Sequence, residues 1–231
     1  METNIDKEVT VETKVNISAD ISWLDRVIKR FKEKGKLVPD NQHKIYEKIR
    51  DHFVSGRTVI DIGCSTGIGA NILSHEARHV WGIDINEEAI SFANHAFARP
   101  NLSFEHLDVE NFPTRPLAQF EVLTFIETLE HLANPQEGLN SVKRFFSEKL
   151  KTIGFITVPN LNNPQVYQLD ATNSLHLNHW TPGEFYELMT KNFRHVVLFS
   201  SNKLDVWAQN ETTDGNDTEA EIIVAKVEGA L

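Results

Sequence analysis

Acidic side chains and histidines recur in this 231-residue chain at places where apolar runs end. Asp61, Gly63 and Gly67 form an Asp-x-Gly-x-x-x-Gly pattern within residues 58–69, and Asp84 and Asp108 follow the next two apolar runs. A carboxylate in such a place can take both hydroxyls of a ribose, and a later one can accept from the exocyclic amine of adenine. The dinucleotide fingerprint G-x-G-x-x-G instead puts backbone amides on a pyrophosphate. Asp61 stands where that fingerprint has its first glycine. An acid there repels a pyrophosphate and suits a ligand carrying an ammonium and a sulfonium, which argues against a nicotinamide oxidoreductase. Cys64 has no basic neighbour in sequence and reads as a small loop residue rather than a nucleophile.

A second group follows the fourth apolar run. Glu127, Glu130 and His131 stand at i, i+3 and i+4, which share one face of a helical turn. His176 and His179 come later, just before Trp180-Thr181. Two carboxylates with one or two imidazoles suit Mg²⁺, Mn²⁺ or a similar ion that retains water. An ion on two adjacent hydroxyls would lower the pKa of one of them. Without an ion, Glu127 or His131 can orient or deprotonate a substrate group.

Alternating strand and helix signals position these residues. Val59, Ile60 and Ile62 suit a strand buried on both faces, and Gly63 and Gly67 suit a tight turn where a Cβ would collide with a bound ligand. Ser65 or Thr66 can cap the next helix, with Ile72 and Leu73 facing inward. Further strands are expected over 79–83, 102–106, 120–126 and 152–158, and near 195–200, 203–208 and 221–227. Between them, Asn86 and Asn134-Pro135 start helices, while Thr181-Pro182-Gly183-Glu184 is a capping box. Residues 160–180 read as a long connection and 211–221 as a solvated hairpin loop. Amphipathic helices are expected over 21–34 and 41–53, the latter with Ile45, Ile49 and Phe53 on one side. Such alternation calls for a parallel sheet with right-handed crossovers.

The net charge of −10 argues against broad, salt-driven binding to nucleic acid. The charge is uneven, with 12 Lys/Arg against 10 Asp/Glu in residues 1–60 and 11 against 23 thereafter. A basic cluster over 26–36 reads as a solvated helix face or a rim for an anionic substrate. No apolar run nears transmembrane length, the polar start is unlike a signal peptide, and one cysteine excludes an internal disulfide. The expected compartment is the cytoplasm.

The Asp-x-Gly-x-x-x-Gly pattern with its strand-end acids resembles motif I of class I S-adenosylmethionine-dependent methyltransferases. The resemblance covers residues 41–200 and implies a Rossmann-like α/β fold: a seven-stranded, mostly parallel sheet with helices on both faces and an N-terminal helical segment. It divides the chain into an arm and helix over 1–40 and a methyltransferase domain over 41–231. It implies S-adenosyl-L-methionine as cofactor, with Asp84 on the ribose, Ile85 on the adenine face and Asp108 with Val109 at the adenine edge. Gly63, Cys64, Ser65 and Gly67 would form the loop under the methionine part, with Asp61 holding the loop or the amino group through water.

Glu127-Thr128-Leu129-Glu130-His131 resembles a motif of ubiquinone-biosynthesis O-methyltransferases and of small-RNA 3′-terminal 2′-O-methyltransferases. In the RNA branch the motif and a later histidine bind a divalent ion. Carried over, the ligands would be Glu127, Glu130, His131 and His176, with His179 as the alternative, holding Mg²⁺ or Mn²⁺. The spacing around the later histidines departs from the RNA branch. The expected activity is O-methylation of a hydroxylated small molecule, with Glu127 and His131 catalytic. The alternatives are RNA 2′-O-methylation and a non-catalytic S-adenosylmethionine-binding module.

Overall fold

Strand β1 (Thr58–Ile62) is buried at every residue after the first, as its apolar run requires of a strand covered on both faces. Alternation sends Val59 to one core and Ile60 and Ile62 to the other. The structure, a computed structural model, describes residues 38–113, 120–202 and 218–231. Its other strands are β2 (His79–Asp84), β3 (Leu102–His106), β4 (Val122–Phe125), β5 (Ile153–Pro159), β6 (Phe193–Ser200) and β7 (Ile222–Ala230). Among the described residues these form one seven-stranded sheet in the order β3-β2-β1-β4-β5-β7-β6. The first five strands pair in parallel, and β7 inserts antiparallel between β5 and β6. Strand order reverses between β1 and β4, and ligands in such sheets bind beyond the carboxyl ends at that reversal.

Helix α1 (Asp40–Ile49) covers one face with Ile45, Tyr46 and Ile49 and continues into a π-helical turn, Arg50–Val54. Helix α2 (Ile68–Ser74) buries Ile72 and Leu73 as expected. Its cap differs from the Ser65 or Thr66 expected. Gly67, left-handed at φ 79°, holds the N-cap position without a side-chain bond. The Ser65 amide is committed elsewhere, and Thr66 is buried. Helix α3 (Glu87–Ala96) is capped by Asn86, and α4 (Pro135–Lys143) by Asn134.

The expected long connection contains a helix, α5 (Pro164–Asp170), capped by Asn163. Helix α6 (Pro182–Thr190) opens on the capping box of Thr181 and Glu184. The helix expected over 21–34, the strand over 203–208 and most of the loop over 211–221 lie outside the described residues. No described helix is long and apolar enough to cross a membrane.

Candidate active site

The loop after β1 is built by its neighbours. The Gly63 and Cys64 amides both donate to the Ile83 carbonyl (2.8 and 3.0 Å), tying the turn to the end of β2. Gly63 and Gly67 have φ of 70° and 79°. A Cβ on Gly63 would fall 2.3 Å from Thr128 Oγ1, and one on Gly67 would fall 2.7 Å from Ala93 and Phe104. The clearance expected for a ligand is thus taken up by protein: the Glu-x-x-Glu-His turn rests on Gly63, while α3 and β3 rest on Gly67. Cys64 is buried, and burial with the nearby Asp61 and Asp84 charges pushes its thiol up, so it stays protonated.

Asp61 is fully buried. The Thr124 and Tyr46 hydroxyls donate to its Oδ1 (2.7 and 3.1 Å). Its Oδ2 has no hydrogen-bond partner among the described residues. Burial pushes this carboxyl up to about 7, against the two hydroxyls, which favour the charge. Tyr46 reaches it by crossing Gly69, where a Cβ would fall 2.2 Å from the ring.

Asp84 ends β2 with both oxygens engaged: one accepts from the Ser65 amide and the other from the Asn86 amide, each at 2.8 Å. Burial raises its pKa although both amides oppose the rise. Ile85 beside it is 63% exposed, an uncovered apolar surface at the mouth of the loop. Asp108 closes its own turn, accepting from the Glu110 amide (2.8 Å) and the Asn111 side chain (2.6 Å). The Val109 side chain lies in the core.

The second group does not form one helical face. Leu129–His131 is a short 3₁₀ turn, and Glu127 precedes it in a left-handed conformation (φ 48°). Thr157 of β5 braces this residue. Its hydroxyl accepts from the Glu127 amide and donates to Glu127 Oε1, both at 2.8 Å. Burial pushes the Glu127 carboxyl up to about 7, the Thr157 bond opposing and the Asp170 and Glu221 charges adding.

Glu130 is 1% exposed, and neither carboxyl oxygen has a hydrogen-bond partner among the described residues. Burial first, then Glu127, raises its pKa well above the ordinary value. His131 Nδ1 lies 2.9 Å from the Leu175 carbonyl, which can only accept, so the proton sits on Nδ1 and Nε2 carries the lone pair. Burial lowers the pKa of this ring, the Leu175 bond opposing. Nε2 is 3.9 Å from Glu130 Oε1, and the His131 and His176 rings meet edge-on at 4.7 Å.

Glu130, His131 and His176 each offer a ligand atom, all within 4.8 Å of one another. Glu127 is turned toward Thr157 and lies outside that set, as does His179. Both later histidines bond through Nδ1 to the buried carboxylate of Asp170, at the end of α5. Tyr46, Thr124, Thr157 and Asp170 bond to the candidate residues, and spacing alone did not single them out. Tyr46 carried a signal, because a tyrosine on the buried face of α1 needs a partner for its hydroxyl.

Residues 53–212 match the family described as a methyltransferase domain. Similar proteins include ubiquinone biosynthesis O-methyltransferases from Aromatoleum aromaticum, 33% identical over 37% of this chain and 38% of that protein, and Stutzerimonas stutzeri, 30% identical over 63% and 60%. The chain spans less than two thirds of the length of these relatives. Among solved structures, the plantazolicin methyltransferase BpumL in complex with SAH matches with a TM-score of 0.64 at 16% identity, over 89% of this chain and 90% of that one. A chain from the complex between the Haloferax volcanii Trm112 methyltransferase activator and a methyltransferase matches with a TM-score of 0.65 at 17% identity, over 89% and 94%.

Proposed function

The chain belongs to the class I S-adenosylmethionine-dependent methyltransferases, and from that premise we propose that it methylates a hydroxyl oxygen of a small molecule. S-adenosylmethionine, when bound, supplies an electrophilic methyl group on a sulfonium. The residues present suit it. Asp84 keeps lone pairs for ribose hydroxyls beyond its two amide bonds, and exposed Ile85 offers an apolar face for adenine. Asp108 and the Val109 backbone, which follow the neighbouring strand, would meet the adenine edge. The unpartnered Asp61 oxygen supplies negative charge beside Gly63, Cys64, Ser65 and Gly67.

The observation that carries the oxygen acceptor is Glu130: a buried carboxyl with two unpartnered oxygens, facing His131 Nε2 on the turn that rests against Gly63. A substrate hydroxyl can hydrogen-bond to Nε2 of His131, whose side chain is accessible, with the buried Glu130 carboxyl beside it. His131, neutral because burial lowers its pKa, would take the hydroxyl proton on Nε2 as the oxygen–carbon bond forms and the carbon–sulfur bond breaks, leaving a neutral thioether. Glu127, held by Thr157, orients the acceptor. The names of the similar proteins support an oxygen acceptor, and the net charge of −10 favours a small molecule over RNA.

A second reading adds a divalent ion. Glu130, His131 and His176 would hold it, Mn²⁺ more readily than Mg²⁺ because two of the three donors are imidazole nitrogens. The ion would lower the pKa of a bound hydroxyl. The test is transfer of labelled methyl to a catechol, a matched aromatic amine and an RNA ending in a 2′,3′-diol, each with EDTA or Mn²⁺. Label on the catechol is expected. Label confined to the amine or the RNA contradicts the proposal, and indifference to EDTA and Mn²⁺ removes the ion.

A further inference from the structure

Asp170 lies at the carboxyl end of α5, 5% exposed, in a stretch that sequence alone reads as a connection. One of its oxygens meets His176 Nδ1 and the other meets His179 Nδ1. A carboxylate oxygen accepts, so this geometry assigns the hydrogen of each ring to Nδ1. In the neutral form of each ring, Nε2 is then left with a lone pair.

The loop from Asp170 to His179 is built to keep that pairing in register with the Glu-His turn. The Asn173 amide donates to the Asp170 carbonyl and the His176 amide to the Asn173 carbonyl, two successive turns of 3.0 Å bonds. The Leu177 and Asn178 amides donate to the Glu130 carbonyl (2.8 and 3.1 Å), and the Asn178 side chain donates to the Leu132 carbonyl (2.6 Å). His131 Nδ1–H reaches back to the Leu175 carbonyl. Three imidazoles thus have their Nδ1 atoms committed, and His131 and His176 share a cluster with the Glu130 carboxyl, which has no hydrogen-bond partner among the described residues.

We propose that Asp170 is a positioning residue: its carboxylate sets the tautomer and ring orientation of His176 and His179, holding the His176 ring edge-on against His131 beside Glu130. The arrangement is that of a carboxylate orienting an imidazole that ligates a cation or accepts a proton. In its ligand role the proposal rests on the divalent-ion reading above; in its tautomer role it stands alone.

Nitrogen-15 NMR of histidine-labelled full-length protein, at a pH where the imidazoles are neutral, reads each tautomer directly. The native protein is expected to show Nδ1–H on His131, His176 and His179. In Asp170→Asn the amide oxygen can serve one ring, while its NH₂ donates to the other. One of His176 and His179 should therefore switch to Nε2–H while His131 stays. Asp170→Ala should release both later histidines and leave His131. Native Nε2–H on His176 and His179, or an unchanged pair in Asp170→Asn, overturns the proposal. Binding of Mn²⁺ alone, followed by its electron paramagnetic resonance signal, should weaken roughly 10- to 100-fold in Asp170→Asn. Equal Mn²⁺ affinity in the two proteins overturns the ligand role. A native protein that takes up no Mn²⁺ overturns the ion reading, and the NMR lines then decide the tautomer role by themselves.

Discussion

At the scale of single residues, Asp61 sets the electrostatics of the loop. It is wholly buried, one of its oxygens has no hydrogen-bond partner among the described residues, and burial, which penalises its charge, pushes its carboxyl up to about 7. A carboxyl raised above its unfolded value favours the folded state most below about pH 4, where both states are protonated. That contribution is lost as pH rises through about 7, where the buried group must ionise. A cationic donor favours the ionised form, so its binding should show the opposite trend. Calorimetric titration of S-adenosylmethionine between pH 6 and 8 should give affinity that rises with pH in the native protein. In Asp61→Asn that rise should flatten and the free protein should gain thermal stability at pH 8. An unchanged pH slope in the variant would remove Asp61 from cofactor recognition.

At the scale of elements, two turns lock together where Thr128 fills the space above Gly63. Gly63→Ala meets both a positive φ and this collision, and should destabilise the protein by about 2 to 5 kcal/mol in denaturant titration. Adding Thr128→Ala should return the packing part, roughly 1 to 3 kcal/mol, and leave the backbone part. Strict additivity of the two substitutions would deny the contact.

The strands and capped helices were legible because their signals are local: apolar runs for β1 to β5, Asn86 for α3, Asn134-Pro135 for α4, and the box at Thr181 for α6. Asn163-Pro164 carries the same cap-and-proline signature and marks α5, but seven residues without an apolar stripe passed as a connection. What was not legible is side-chain contact made between strands or across a loop. Thr157 on β5 braces Glu127, Thr124 on β4 reaches Asp61, and Asp170 joins two histidines six and nine residues onward. Spacing also predicted one helical face for Glu127, Glu130 and His131. The left-handed Glu127 breaks it, because a strand end that must turn sharply into a 3₁₀ turn leaves no room for a helical start.

At the scale of the whole molecule, sheet order places every part of the site at one edge. The reversal between β1 and β4 opens the space into which the glycine loop and the Glu-His turn both project, and β2 brings Asp84 alongside. The strand-end acids divide their labour by depth. Asp61 is sealed beneath the loop, while Asp84 and the exposed Ile85 border it. In the proposed reading the carboxylate of Asp84 and the apolar face of Ile85 receive an adenosyl group, with Asp61 behind the turn. The most direct measurement is the affinity of S-adenosylmethionine for the native protein and for Asp84→Ala, with circular dichroism confirming that both are folded. Saturable binding that weakens roughly 10- to 100-fold in the variant is the predicted result, the loss expected when hydrogen bonds to a charged partner are removed. Equal affinity in the two proteins, or no saturable binding by the native one, would contradict the account.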